Sequence, residues 1–252
     1  MDLDLANKNV LIIGASGGIG SAIVKTFNDE CANLFLVGRN LIKLKKLSKS
    51  LHSENKNIFI EQCDVLDTSS LMRLYNKIKK LNLKFHTLVL NIGDGKSINK
   101  AITSKLHWEK VWDVNFNTSL YPTRQFLPLM NKNSSIIFVS SISGIKTIGA
   151  PTDYSVAKAG IIALARNLAL KLAPNIRVNC IAPGNIFFKD GNWESKLKKN
   201  KSHVLNMIKN NVPLKRFGTP EEIANTVIFL ASKRSSFITG EVLVVDGGQI
   251  LN

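Results

Sequence analysis

Two tyrosines in this chain are each followed by a lysine four residues later. Tyr154 and Lys158 lie in the segment DYSVAKAG, and Tyr75 and Lys79 lie in LYNKIKK. In a helix this spacing puts both side chains on one face, about 6 Å apart along the axis. A nearby ammonium favours ionised tyrosine, which can then exchange protons with a bound substrate. Spacing alone cannot tell a catalytic pair from an accidental one, so the surroundings of each pair must decide.

Short apolar runs alternate with longer amphipathic segments along the chain. Seven runs predict β-strands, at 9–13, 33–37, 57–61, 87–90, 135–140, 176–181 and 242–245. The stretches between them are long enough for crossover helices, which predicts a parallel sheet buried on both faces. We therefore predict one α/β domain over residues 1–252, folded as a doubly wound parallel sheet. Residues 185–217 escape the alternation and are predicted to form a helical lid.

The composition is typical of a soluble globular protein. The chain has 252 residues, of which 44% are hydrophobic, enough for a buried core. No apolar run reaches the roughly 18 residues needed to cross a bilayer, and the start MDLDLANKNV does not resemble a signal peptide. These features predict a cytoplasmic protein with no membrane partner. Cys31, Cys63 and Cys180 lack paired spacing, so we expect small buried side chains and no disulfide or metal site.

The formal net charge of +16 is unusual. Its lysines are spread over the predicted helices, and no basic stretch is interleaved with aromatic residues that could stack on bases. We therefore expect no nucleic-acid partner. A solvated lysine-rich surface and attraction to an acidic substrate or carrier both remain open.

A glycine-rich turn, GASGGIG, follows the first predicted strand. Gly14 would allow the tight turn, Gly18 would let a ligand approach the backbone, and Gly20 would let the next helix lie close to the sheet. The free N–H groups at the start of that helix would bind a pyrophosphate. The turn therefore predicts a dinucleotide site.

The ends of the next two strands bear on which dinucleotide binds. Arg39 stands at the tip of the second strand, where a carboxylate would instead accept hydrogen bonds from the adenosine ribose. A guanidinium there favours a 2′-phosphate, so we expect NADP(H) to be preferred over NAD(H), unless Arg39 is merely solvated. Asp64 follows the third strand and could contact the adenosine part of the dinucleotide or cap a helix. Asp67 or Thr68 is better placed as the cap.

Context separates the two tyrosine pairs. Ser141, at the end of the fifth strand, precedes Tyr154 by thirteen residues, which would bring Ser141, Tyr154 and Lys158 together at the carboxyl edge of the sheet. Thirteen residues before Tyr75 stands Gln62, which has no cofactor loop beside it. Tyr154 is therefore the catalytic candidate.

These motifs together resemble the short-chain dehydrogenase/reductase family over essentially the whole chain. The resemblance rests on GASGGIG, the serine, tyrosine and lysine, Asn115 in VWDVNFNTS, VNCIAPG and the tail FITGEVLVVDGG. It implies a Rossmann-type fold and a catalytic set of Ser141, Tyr154, Lys158 and Asn115. It also implies cofactor contacts from Gly14, Ser16, Gly18, Ile19, Gly20, Arg39, Asp64, Val65, Asn91, Gly93, Tyr154, Lys158, Pro183, Gly184 and Ile186.

Two positions depart from the family pattern. Its usual Asn-Asn-Ala-Gly is Leu90-Asn91-Ile92-Gly93 here, which keeps the asparagine and the glycine beside the cofactor. A threonine that the family places near the nicotinamide carboxamide is Phe188 here.

The resemblance implies proton transfer by Tyr154 as hydride reaches or leaves a carbonyl carbon. We expect Lys158, with oxidised cofactor, to lower the pKa of Tyr154 from its ordinary value near 10. Ser141 would polarise the carbonyl, while Lys158 would hold the nicotinamide ribose and Asn115 would support a water chain to Lys158.

The leading hypothesis is an NADPH-dependent reductase of a small carbonyl substrate, with 3-oxoacyl thioesters on an acyl carrier as the first substrate class. A sugar reductase or dehydrogenase, for instance in surface-polysaccharide synthesis, and a cofactor-binding scaffold without catalysis remain alternatives. The substrate would contact Ser143, Phe187, Phe188 and Trp193, although these aromatic residues could instead pack the lid or a subunit interface. Family likeness also implies a homotetramer or homodimer that covers an edge strand at ITGEVLVVDGG.

Overall fold

Seven parallel strands form one sheet in the computed structural model, which describes residues 2–51 and 57–251. The strands are β1 Asn9–Ile13, β2 Asn33–Gly38, β3 Ile58–Gln62, β4 Phe85–Leu90, β5 Met130–Val139, β6 Ile176–Pro183 and β7 Val242–Val245. Their order across the sheet is β3-β2-β1-β4-β5-β6-β7. From β1 to β3 successive strands are added towards one side of the sheet, and from β4 onwards they are added towards the other, so the switch point lies between β1 and β4. In such sheets ligands bind at the carboxyl edge of the switch point.

The structure confirms the predicted α/β class and the doubly wound parallel sheet. β1 and β7 have the predicted bounds, whereas β5 begins at Met130, five residues before the predicted start. The early start reflects an irregular register, in which Phe85 pairs with Met130 but Thr87 pairs with Ser135. The predicted span of 1–252 includes residues 1, 52–56 and 252, which lie outside the described part of the chain.

Helices cover both faces of the sheet. They are α1 Gly18–Asp29, α2 Leu41–Lys49, α3 Thr68–Lys80, α4 Lys105–Trp112, α5 Thr118–Phe126, α6 Thr152–Leu172, α7 Asn192–Lys199, α8 Lys201–Asn211 and α9 Pro220–Ala231. Alternate residues of β1 serve the two faces: Val10 and Ile12 pack with α1 and α9, and Leu11 and Ile13 pack on the side of α3, α5 and α6. The buried strands thus hold the helices that carry the candidate site.

The segment predicted to be a lid is helical. It contains α7 and α8, and its two ends meet where the Phe187 N–H donates to the Gly218 carbonyl at 2.9 Å. Val204 and Ile208 anchor α8 in the protein, but α7 buries none of its residues. The segment is therefore fixed at its base and at α8, while α7 lies at the surface.

Two of the three cysteines are buried, as predicted, but Cys31 is exposed. Cys31 follows α1 with a φ of +54°, and its N–H donates to the Asn28 carbonyl at 2.9 Å. This left-handed residue ends the helix, so the backbone turns outward and takes the side chain with it. None of the described helices is long and apolar enough to cross a membrane.

Candidate active site

Ser141, Tyr154 and Lys158 meet at the carboxyl edge of the sheet. All three line a cavity of about 470 Å³, and the Ser141 hydroxyl is hydrogen bonded to Tyr154. Lys158 is buried, its Nζ lying 5.9 Å from the centroid of the Tyr154 ring and donating to the Val139 carbonyl at 3.3 Å. The structure thus brings together the three side chains that the sequence singled out.

Ser143 lies behind Ser141 and orients it. Its N–H and its hydroxyl donate to Ser141 Oγ at 3.2 and 3.0 Å. These two bonds occupy acceptor positions of Ser141 and leave the Ser141 proton for Tyr154 or for a carbonyl oxygen in the cavity. Ser143 also lines the cavity, where we had expected a contact with substrate.

Asn115 is buried in a five-residue π-helix, Asp113–Asn117, between α4 and α5. Its Nδ2 donates to the Asp94 carbonyl at 3.1 Å, and its Oδ1 accepts from the Asp94 N–H at 2.9 Å. A Cβ on Gly93 would lie 2.7 Å from Lys158 Nζ and 3.1 Å from Asn115 Oδ1. Asn115 therefore holds the loop after β4 beside Lys158, while the predicted water chain stays a prediction.

Burial controls the proton chemistry of the pair. Desolvation lowers the pKa of Lys158 to about 8. Desolvation also raises the pKa of Tyr154, an effect that the hydrogen bond from Ser141 opposes and the charge of Asp94 reinforces. For the chain by itself the pKa of Tyr154 is therefore raised, and its lowering by Lys158 together with oxidised cofactor stays a prediction. A neutral phenol at neutral pH is a proton donor, which suits the protonation of a carbonyl oxygen.

The second pair, Tyr75 and Lys79, has the same local geometry. Lys79 Nζ also lies 5.9 Å from the centroid of its tyrosine ring. Tyr75, however, packs against Phe126 in the hydrophobic core, with ring centroids 6.3 Å apart, and does not line the cavity. The spacing fixes the distance within each pair, but only the surroundings of Tyr154 provide a place for a substrate.

The glycine turn fits a dinucleotide. Gly14 has a φ of +87°, which glycine adopts readily, and its carbonyl accepts from Asn91 Nδ2 at 3.3 Å. A Cβ on Gly20 would lie 2.1 Å from that carbonyl oxygen, so α1 can pack here only with glycine. α1 begins at Gly18 without a side-chain cap, which leaves its first N–H groups for an anion. The cavity reaches this helix start at Gly17, Gly18 and Ile19.

Arg39 and Asp64 lie at neighbouring strand ends, beyond β2 and β3. Arg39 is exposed, and no carboxylate of the described residues pairs with its guanidinium. Asp64 accepts from the Leu66 N–H at 3.1 Å, whereas Asp67 caps α3 through the Ser69 N–H at 2.9 Å. The cap is therefore Asp67, as the sequence favoured, and Asp64 is left at the exposed edge where an adenosine group would bind.

The remaining predicted cofactor residues lie at three places. Pro183, Gly184 and Ile186 follow the β6 edge and line the cavity, with Ile186 buried. Val65 is buried in the core. Ser16 lies in the glycine turn, 3.3 Å from the position that a Cβ on Gly38 would take.

The lid aromatic residues do not act as one surface. Phe187 and Trp193 both pack on Phe217, with centroid distances of 5.8 and 5.4 Å, and Lys196 Nζ lies 4.3 Å from the Trp193 centroid. Trp193 and Phe188 line the cavity, but Phe187 does not. Phe187 therefore packs within the lid segment, which was the alternative to a substrate contact. Phe217 belongs to the same aromatic cluster, and no sequence signal marks it.

Sequence reasoning missed Asp153, the residue before Tyr154. Its buried carboxylate accepts from Ser97 Oγ at 2.7 and 2.9 Å, from Thr103 Oγ1 at 3.1 Å and from the Tyr154 N–H at 2.7 Å. His107 Nε2 lies 3.5 Å from the same carboxylate. Asp153 thus connects the loop between β4 and α4 to the first turn of α6, the helix that carries Tyr154 and Lys158. The available sequence signal was an acidic residue in a first helical turn.

Comparison with known proteins places this site in a family. Residues 14–249 match the family model described as enoyl-(acyl carrier protein) reductase. The chain is 33% identical over 252 residues to the 3-oxoacyl-[acyl-carrier-protein] reductase FabG of Rickettsia bellii, covering 99% of each chain. It is 35% identical to the Chlamydia pneumoniae protein of that name, covering 98% of this chain and 99% of the other.

The chain belongs to the short-chain dehydrogenase/reductase family. A similar solved structure is that of L-sorbose reductase from Gluconobacter frateurii complexed with NADPH and L-sorbose, with a TM-score of 0.91, 28% identity and full coverage of both chains. The protein is accordingly an oxidoreductase of alcohol and carbonyl groups whose relatives bind NAD(P). A nicotinamide dinucleotide, when bound, supplies or accepts hydride, and side chains of this chain would have to supply the proton.

Replacing Tyr154 by Phe should keep the fold and lower kcat by about 10²- to 10⁴-fold, because it removes the group that exchanges a proton with the substrate. Tyr75→Phe is the matched control and should leave kcat nearly unchanged. Steady-state kinetics on purified variants would check both. Equal losses in the two variants would show that the catalytic pair is assigned wrongly.

Lys158→Met should change how stability depends on pH. The folded pKa of about 8 lies below the ordinary 10.5, so the cost of the buried ammonium is fully present below pH 8 and vanishes as the pH rises to 10.5. That cost is about 3 kcal/mol, so the variant should gain stability over the unmodified protein at pH 7 and lose the advantage near pH 10. Urea unfolding at both pH values would measure it, and a pH-independent difference would contradict the argument.

Proposed function

We propose that this protein reduces a ketone to a secondary alcohol with NADPH, and that the ketone is a 3-oxoacyl thioester on an acyl carrier. The observation that carries the proposal is the set of half-buried Ser141, half-buried Tyr154 and buried Lys158, which lines one cavity with the start of α1. Because burial raises the pKa of Tyr154, its phenol is protonated before reaction and ready to donate.

Each side chain has a separate task in this proposal. Tyr154 donates its proton to the carbonyl oxygen, and Ser141 donates a second hydrogen bond to the same oxygen. Lys158 holds the nicotinamide ribose and keeps positive charge near Tyr154. Asn115 holds the loop after β4 in place and supports the water chain through which Tyr154 is protonated again.

The preference for NADPH rests on Arg39. Its exposed guanidinium lies at the tip of β2 without a described acidic partner, so it can bind a 2′-phosphate at no cost to another ion pair. The solved L-sorbose reductase, which is similar in fold over the whole chain, contains NADPH.

The preference for a carrier-linked substrate rests on the relatives named as 3-oxoacyl-[acyl-carrier-protein] reductases and on the charge of the lid. Four lysines lie on α7 and at the start of α8: Lys196, Lys198, Lys199 and Lys201. Lys198 pairs with Glu194 at 3.2 Å, and Lys196 covers Trp193 at the cavity wall. The surface remains strongly positive and would attract an acidic carrier.

A sugar ketone is a second candidate. Trp193 lines the cavity beside Asn192, an arrangement of one flat aromatic face and one amide that could bind a sugar ring and its hydroxyl groups. The similarity to L-sorbose reductase favours the same class.

Arg39→Asp should weaken NADPH binding on the order of tenfold to a hundredfold, because charge-assisted hydrogen bonds are lost and a carboxylate faces the phosphate. NADH binding should be spared. Lys49→Asp, at the far end of α2, makes the same charge change away from the site and is the control. Fluorescence titration with each dinucleotide would measure the affinities, and equal binding of NADPH and NADH by the unmodified protein would refute the preference.

NADPH oxidation over a panel of 3-oxoacyl thioesters, sugars and simple ketones would decide the substrate class, and no turnover of any would favour a non-catalytic scaffold.

If the lid lysines steer an acidic carrier, kcat/KM for the carrier-linked thioester should fall with salt, since screening acts over about 8 Å at 0.15 M. A small uncharged ketone should show no such fall.

Glutamine at the four lid lysines should abolish that salt dependence. The control has glutamine at four lysines on and just after α3, namely Lys77, Lys79, Lys80 and Lys84, and should keep it. An identical salt response for the two substrates would show that the lid lysines are merely solvated and do not attract a carrier.

The oligomer should cover the outer edge of β7, which the topology places at the end of the sheet. An unpaired edge strand tends to pair with another chain, and a two-fold symmetric dimer or tetramer removes that exposure. Light scattering at micromolar concentration should therefore give a dimeric or tetrameric mass. A monomeric mass would contradict this assembly.

A further inference from the structure

The aromatic ring of Phe188 lies directly against the start of α1. A Cβ placed on Gly18 would be 2.2 Å from Cδ2 and 2.4 Å from Cγ of Phe188. Only the missing side chain of Gly18 makes room for the ring. The sequence predicts a ligand in front of Gly18 and a substrate contact for Phe188.

A second glycine contacts the same ring. A Cβ on Gly191 would be 2.8 Å from Cε2 of Phe188, and the Gly191 N–H donates to the Phe188 carbonyl at 3.1 Å. Gly191 is also the residue that precedes α7. The ring is therefore held between the start of α1 and the start of the lid helix.

The ring and a dinucleotide pyrophosphate would compete for one place. A pyrophosphate at a glycine turn approaches the backbone N–H groups of the first helical turn, and this approach requires open space in front of the glycine. The ring of Phe188 fills this space on the side of Gly18 where a side chain would stand, whereas the cavity stays open along Gly17 and Ile19.

We propose that Phe188 is a gate residue of the dinucleotide site, which closes the start of α1 and must move aside before the pyrophosphate can bind. This inference rests on the proposed function. Removing the ring should raise the apparent affinity, because the free protein no longer has to leave a closed form to bind.

Movement of the ring would also reach the substrate side of the cavity. Phe188 is three residues from Gly191 and five from Trp193, and both Phe188 and Trp193 line the cavity. Displacing the ring breaks the packing that holds the start of α7, so Trp193 and Lys196 would shift with it. The gate thus favours a sequence in which the dinucleotide binds first and the carbonyl substrate second.

The neighbouring residue provides a matched control. Phe187 has the same side chain, but its ring packs on Phe217, away from Gly18, and it does not line the cavity. A second control is the ligand adenosine 2′-phosphate, which would bind at Arg39 but has no pyrophosphate to reach Gly18.

The test is equilibrium binding of NADPH and of adenosine 2′-phosphate to the unmodified protein, Phe188→Ala and Phe187→Ala. Phe188→Ala should bind NADPH roughly tenfold more tightly, since the half-buried ring gives up part of the contact energy of a buried phenylalanine. Its affinity for adenosine 2′-phosphate should not change. Phe187→Ala should match the unmodified protein with both ligands.

Unchanged or weaker NADPH binding by Phe188→Ala would overturn the gate, and so would an equal gain for adenosine 2′-phosphate. If circular dichroism shows that Phe188→Ala does not fold, Phe188→Thr takes its place with the same expectations. A different result would refute the proposed function. If neither the unmodified protein nor Phe188→Ala binds a nicotinamide dinucleotide, the proposed function and the gate are both refuted. NADPH binding and turnover with no effect of Phe188→Ala would refute the gate alone.

Discussion

The buried ammonium of Lys158 is the constraint around which the site is arranged. Lys158 is only 3% exposed, so its ammonium needs polar contacts, and the structure provides the Val139 carbonyl at the end of β5. Its Nζ also fills the space beside Gly93, where any side chain would collide with it. The Lys158 ammonium thus contacts both Val139, the last residue of β5, and the loop after β4, and it holds the two together. The same burial that lowers the pKa of this lysine makes it costly to keep, a pattern typical of functional sites.

Desolvation also decides how Tyr154 works. Burial is the largest influence on this phenol and raises its pKa, so the tyrosine is protonated at neutral pH. Ser141 opposes the effect by hydrogen bonding to Tyr154, and Ser143 holds Ser141 in position through two donors. The Asp153 carboxylate joins the first turn of the same helix to the loop after β4. Proton donor, polarising group and supporting loop are therefore parts of one hydrogen-bonded unit.

The fold and the reacting residues could be predicted from sequence because their signals are local and repetitive. Strand runs such as 9–13 and 242–245 reflect burial on both faces, and glycine at 14 and 20 reflects steric limits that no other residue meets. Three features could not be predicted because they depend on contacts between distant segments. The partners of Asp153 come from a loop about fifty residues away, the direction of the pKa of Tyr154 follows from its burial, and Phe188 meets Gly18 only in the folded chain.

The π-helix between α4 and α5 makes the site sensitive to chain length as well as to residue type. A π-turn holds one residue more than an α-turn, and each residue of an α-helix accounts for about 100° of rotation. Deleting any one residue of Asp113–Asn117 other than Asn115 would allow α4 and α5 to join as a regular helix and would rotate Asn115 away from Asp94. Every side chain named in the site would still be present, but the loop after β4 would lose its anchor beside Lys158. Homologues could therefore lose this geometry through a one-codon deletion that leaves all of the catalytic residues in place.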